Sequence, residues 1–104
     1  MKSHLSLSEN ENMLIGTIQL HFVLPSRSLK EKRRIINSIK DKTKNKFNVS
    51  IAEIDFNDDH NNALIGIAMV SNDGKHLNSV LYSIIDFLEK EFPGMLTDHH
   101  IEIL

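Results

Sequence analysis

Nine basic residues (Arg27, Lys30, Lys32, Arg33, Arg34, Lys40, Lys42, Lys44 and Lys46) fall between positions 27 and 46, against two acidic ones, Glu31 and Asp41. That segment carries +7 in a chain whose net charge is −2, so the remainder carries −9. Charge segregated in this way points to an anionic partner, and the local excess says more than the overall balance. On a helix, Lys40, Arg33, Lys44, Lys30 and Arg34 follow one another beside the apolar arc, with Asn37 in their midst. Such a ridge suits phosphate oxygens, which arginine can grip at two points. With Arg27 just ahead of the helix, these six are the candidate nucleic-acid-binding residues: Arg27, Lys30, Arg33, Arg34, Lys40 and Lys44. The competing reading is a solvated helix face whose cations serve solubility.

A second group is acidic. Glu53 and Asp55 lie two apart on an expected strand, which projects both carboxylates from one face, and Asp58, Asp59 and His60 follow. Such a group could hold a metal or move a proton. No further ligand stands at a diagnostic spacing, however, and the preferred reading is a solvated strand edge. His21, His99 and His100 come near one another if the first and last strands pair, yet two histidines without a third ligand are usually surface groups. The absence of cysteine excludes disulfides, thiolate metal sites and a cysteine nucleophile. There is no glycine-rich phosphate loop, GxSxG elbow or HExxH pair. The expectation is a protein without catalytic residues, metal site, cofactor or small-molecule substrate, and therefore not an enzyme.

Period-two alternation predicts a first strand over 14–24, where Ile18, Leu20, Phe22 and Leu24 alternate with Thr17, Gln19, His21 and Val23. Pro25 stops it. Ser28 and Glu31 have capping-box spacing, and the helix they start runs to about Asn45 with Leu29, Ile35, Ile36, Ile39 and Thr43 on one face. A second strand is expected over 47–56, then a turn at 57–62 rich in Asn and Asp. The third strand, 63–71, is apolar on both faces and belongs inside the sheet. Asn72-Asp73-Gly74 opens a second helix and Phe92-Pro93-Gly94 ends it, before a last strand over 96–104. The order β-α-β-β-α-β predicts an α+β, ferredoxin-like sandwich: a four-stranded antiparallel sheet in the order 4-1-3-2 with two helices on one face. The other face, with Ile15 and Val23 on it, is then left without helices, and a protein-interaction or homodimer module using that face is the alternative function.

A basic helix in this topology invites comparison with single-strand RNA binders that stack bases on sheet aromatics. The third strand, Ala63 to Val70, has no aromatic residue, and the chain has no tryptophan. The stacking platform is missing, so any RNA contact is helix-borne and directed at phosphate and shape. A length of 104 residues admits one domain, read as residues 13–104 behind a flexible polar tail at 1–12, with Met13 an alternative start. No apolar stretch is long enough to span a membrane, and the start lacks a signal peptide's apolar centre. The expected setting is the cytoplasm, with no membrane partner.

Three blocks carry a resemblance to a known family: Ser28-Leu29-Lys30-Glu31-Lys32-Arg33-Arg34, Phe47-Asn48-Val49-Ser50-Ile51-Ala52-Glu53-Ile54-Asp55 and Val70-Ser71-Asn72-Asp73. From Met13 onward the chain resembles the YlxP-like family of small bacterial proteins, a domain of unknown function. The resemblance implies a ferredoxin-like fold and a cytoplasmic bacterial protein whose gene often neighbours those of translation initiation and ribosome maturation factors. It brings no established activity and no assigned site residues. After Asp55 the family usually has a Gln-Asp-x-Trp-Gln-like segment; here Asn57-Asp58-Asp59-His60-Asn61-Asn62 stands instead, so no role for that aromatic carries over. Together these readings predict a non-catalytic protein that contacts structured RNA or a ribosomal particle through its first helix.

Overall fold

Six elements follow one another in the computed structural model, which describes residues 12–104: β1 (Leu14–Val23), α1 (Leu29–Lys46), β2 (Ser50–Asp55), β3 (Asn62–Ser71), α2 (Gly74–Glu91) and β4 (Leu96–Ile103). The segment read as a polar tail lies outside the described residues, apart from Asn12. The strands pair antiparallel throughout, in the order β2-β3-β1-β4. β3 takes the inner position that its two apolar faces predict, and the shorter β2 takes an edge.

The register assigns the two faces. Ile18 stands between Ile67 and Ile101, Leu20 opposite Ile65, and Phe22 opposite Ala63. The side chains of β1 and β3 in these rows are buried beneath the helices with Ile36, Ile39, Leu77, Leu81, Ile84, Ile85 and Leu88. α1 lies over β2 at the edge, while α2 lies over β1, β3 and β4. The alternate residues (Ile15, Thr17, Gln19, His21 and Val23 on β1; Leu64, Gly66, Ala68 and Val70 on β3) form the face without helices. Gly16 lets α2 approach β1 closely: a Cβ there would stand 2.8 Å from Leu77 Cδ1 and 2.9 Å from Leu81 Cδ1.

The helix ends obey local chemistry. Ser28 accepts the Glu31 N–H at 3.1 Å, satisfying one orphan donor of α1. Glu31 reaches back one residue further than a capping box requires and accepts the Arg27 N–H at 2.7 Å. Asp73 caps α2 by accepting from Lys75 and His76. Past α2, Gly94 adopts φ +78°, which glycine does without steric cost, and the chain turns into β4. β2 starts later than its alternation predicts. Phe47 caps α1, donating its N–H to the Thr43 carbonyl, so Phe47 and Val49 pack against the core from the connection instead of a ladder.

Candidate nucleic-acid interface

One cation of α1 is not on the surface. At 100° per residue Lys32 falls between Ile39 and Thr43, in the middle of the apolar arc. Its residue exposure is 2%, and its ammonium donates to the carbonyls of Phe56, Asp59 and Asn62, each at 2.6 Å. An ammonium has three protons, and three carbonyls take them. Glu53 Oε2, 2.8 Å from Nζ, therefore meets Lys32 as an ion contact and has no hydrogen bond of its own. This corrects the sequence reading of Glu53 as part of a solvated edge. The signal was present in the helix wheel: a lysine inside an apolar arc needs either exposure or a cage of acceptors.

The β2–β3 connection is wrapped around that ammonium. Phe56 takes φ 65°, uncommon for a bulky residue, and its carbonyl both meets Lys32 and accepts the Asp59 N–H. Asp59 accepts from the Asn61 and Asn62 N–H groups and from Asn62 Nδ2. The Asn61 N–H and then the Asn62 side chain hold the Asp59 carboxyl below its ordinary 3.8; desolvation opposes them, and the Asn62 N–H and the Lys32 charge add smaller help. Asn61 ties the connection to the β1–α1 loop through the carbonyls of Leu24 and Ser26, and Ser26 Oγ donates to the His60 carbonyl.

The remaining acidic residues do not assemble. The ladder shifts between Glu53 and Asp55: Glu53 stands opposite Ile65, a core residue, whereas Asp55 stands opposite Leu64 on the helix-free face. The two carboxylates thus do not share a face, because a bulge adds a residue and reverses the alternation. Among the described residues, no group of three or more His, Cys, Asp or Glu side chains is arranged to hold a metal ion. The histidines also stay apart. His21 lies opposite Asp98, His99 opposite Leu20 and His100 opposite Gln19. Asn62 gives its Nδ2 to Asp59, which leaves Oδ1 to accept from His21 Nε2 at 2.9 Å. His21 Nδ1 meets the Thr97 hydroxyl at 3.1 Å, and its ring lies 5.8 Å from that of Phe56.

The basic residues of α1 divide into two sets. Lys32 is caged, Lys42 pairs with Glu91 at 3.2 Å, and Lys46 lies over the Phe87 ring at 4.9 Å. These three stand away from the predicted ridge. Arg27, Lys30, Arg33, Arg34 and Lys44 are exposed and Lys40 is half-buried. Among the described residues, none of the six makes a side-chain ion pair, hydrogen bond or ring contact. Asp41, between Lys30 and Arg34 around the same flank, is the one acid of the helix there, so the five helix cations leave a net +4. Arg33, Asn37 and Lys40 border a groove of about 280 Å³ whose opposite side is Glu53, Asn57 and Asp58. The ridge therefore runs along the β2 edge, with the β2–β3 connection standing beside it.

A sheet in this order with both helices on one face is the ferredoxin-like α+β fold. The chain belongs to the family described as "Protein of unknown function (DUF503)", whose model matches residues 15–101. It is 39% identical over 66 residues to the "Uncharacterized protein YlxP" of Bacillus subtilis (strain 168), covering 64% of this chain and 71% of that one. Among solved structures it is similar to the de novo designed protein Foldit4, with a TM-score of 0.56 and 13% identity over 88% of this chain and 96% of the design. At that identity the likeness concerns the fold alone, and the family description assigns no activity. No helix among the described residues is long and apolar enough to cross a membrane.

Proposed function

We propose that this protein is a non-catalytic binding protein of the cytoplasm that holds structured RNA, free or within a ribosomal particle, on the outer flank of α1. One observation carries the proposal. Of the nine basic residues between 27 and 46, the three engaged inside the molecule lie off the ridge, and the six unengaged ones lie on it or at its head. Those six stay out of ion pairs although Asp41 shares their flank and Asp58 stands across the groove from Arg33 and Lys40. Cations left unpaired in this way are available to phosphates, with which an internal ion pair would compete. The protein captured from bacterial lysate is expected to bring RNA with it, and ribonuclease treatment is expected to release any ribosomal proteins recovered alongside. A Lys30→Glu/Arg34→Glu double variant that recovers as much RNA as the parent would defeat the proposal.

Self-association through the helix-free face is the second reading, favoured by the exposed apolar groups at its two ends. Val70 (63% exposed) and Leu104 (66%) flank half-buried Ile15, and Val23, Ile54 and Phe56 are exposed toward the opposite end. Exposed apolar groups on one face mark contact surfaces when they are contiguous. Here the polar Thr17, Gln19 and His21 lie between the two ends.

A further inference from the structure

Resting on the RNA reading, we propose that the ridge of α1 is built for double-stranded, A-form RNA, with Asn37 meeting ribose 2′-hydroxyls in the shallow minor groove between two lines of phosphate. The spacing of the charges is the first reason. Lys30, Arg33 and Arg34 make one cationic group of +3, Lys40 and Lys44 with Asp41 beside them make a weaker one of +1, and the turn between presents neutral Asn37. Arg33 and Lys40 are seven residues apart, two turns along one side of the helix and about 10 Å at 1.5 Å per residue. A single strand laid along the ridge would want a cation at every turn. Two groups separated by an amide instead match two backbones on either side of a groove.

The groups available to bases are the second reason. Single-strand recognition relies on rings that stack on unpaired bases. The flank from Arg27 to Lys46 contains no aromatic residue, and Phe47 beyond it packs edge-on against Phe87 with Lys46 above both. A duplex asks for no such ring because its bases stack on one another. The third reason is depth. The inner face of α1 is committed to the core through Ile36, Ile39 and Thr43, and Asn57 and Asp58 stand across the groove from Arg33 and Lys40. A helix so flanked cannot sink into a major groove about 8.5 Å deep, as a recognition helix does in B-form DNA. It can lie across the wide, shallow minor groove of A-form RNA, where 2′-hydroxyls are displayed. Asn37 is exposed, and its amide both donates and accepts, as a 2′-hydroxyl does.

The test uses the full chain and three probes of one sequence: an RNA duplex of about 16 base pairs, a length that spans two successive minor grooves, the matching DNA duplex, and one RNA strand alone. Fluorescence anisotropy at fixed salt reads the three affinities. The RNA duplex is expected to bind at least tenfold tighter than either other probe, and Asn37→Leu is expected to bring RNA and DNA duplexes within about threefold of each other. Equal binding of RNA and DNA duplexes by the parent, or tighter binding of the single strand, overturns the duplex proposal while leaving an RNA-binding ridge in place. Unchanged discrimination in Asn37→Leu removes Asn37 from it. Failure of all three probes to bind tells against the ridge itself.

Discussion

Lys32 and the residues around its ammonium show how one side chain can fix a surface it does not belong to. The left-handed backbone at Phe56 costs roughly 1–2 kcal/mol, and the carbonyl it aims at Lys32 makes a charge-assisted hydrogen bond that offsets it. Removing the ammonium leaves three carbonyls and the Glu53 carboxylate without their cation. Lys32→Met is therefore expected to destabilise the fold by about 3–5 kcal/mol, read as a lower urea midpoint. Lys32→Met combined with Glu53→Gln should recover part of that loss, because the second change removes the uncompensated charge. Asp59 acts in the same connection. Its folded pKa is lowered, so its contribution is present above the ordinary value of 3.8 and is lost as pH falls through the lower folded value. Asp59→Asn should accordingly flatten the fall in melting temperature below about pH 4 and change little in the slope near neutrality. Equal acid slopes for variant and parent would show that the Asn61 and Asn62 donors do not matter to the folded state.

At the scale of elements, what holds the ridge in place is the packing of α1 and α2 on one face of the sheet. Gly16 is the sharpest probe of the α2 contact, since two leucine methyls lie where its Cβ would be. Gly16→Val should cost about 1–3 kcal/mol by overpacking, measured by chemical denaturation, and Ser28→Ala about 1 kcal/mol through the lost cap of α1. Element order, strand order, the Ser28 cap and the interior place of β3 follow from periodicity, turn residues and handedness, and the structure bears them out. Less legible were features set by hydrogen bonding between elements. Alternation at Phe47 and Val49 marks burial, and burial occurs here without a ladder. The bulge after Glu53 leaves no trace in composition, so spacing alone predicts one shared face for Glu53 and Asp55 where the structure has two. The place of Lys32 in the apolar arc is legible on the helix wheel, but the carbonyls that cage it lie 24 to 30 residues away and are not.

The whole molecule is electrically lopsided, with a basic flank on α1 at one sheet edge and acidic residues spread over the rest. Such a distribution orients an approaching polyanion, and its pull weakens as salt shortens the screening length. The helix-free face gives a separate prediction at this scale. If it joins two copies, Val70→Glu or Val23→Glu should shift sedimentation toward monomer while leaving RNA binding intact, because both lie across the sheet from α1. A parent that sediments as a monomer at all concentrations removes that use of the face.

The ridge itself is tested most directly by the salt dependence of binding. Folded bulk transfer RNA serves as a structured probe, titrated at several salt concentrations with the parent and with Lys30→Glu/Arg34→Glu. Three to five phosphate contacts predict a slope of log affinity against log salt of roughly −2 to −4, at about 0.7–0.9 per contact. The double variant should bind more weakly and with a flatter slope, while its melting temperature stays within about 2 °C of the parent, since both side chains are exposed. A double variant with the parent's affinity and the parent's slope would contradict the account and leave the flank of α1 a solvated face.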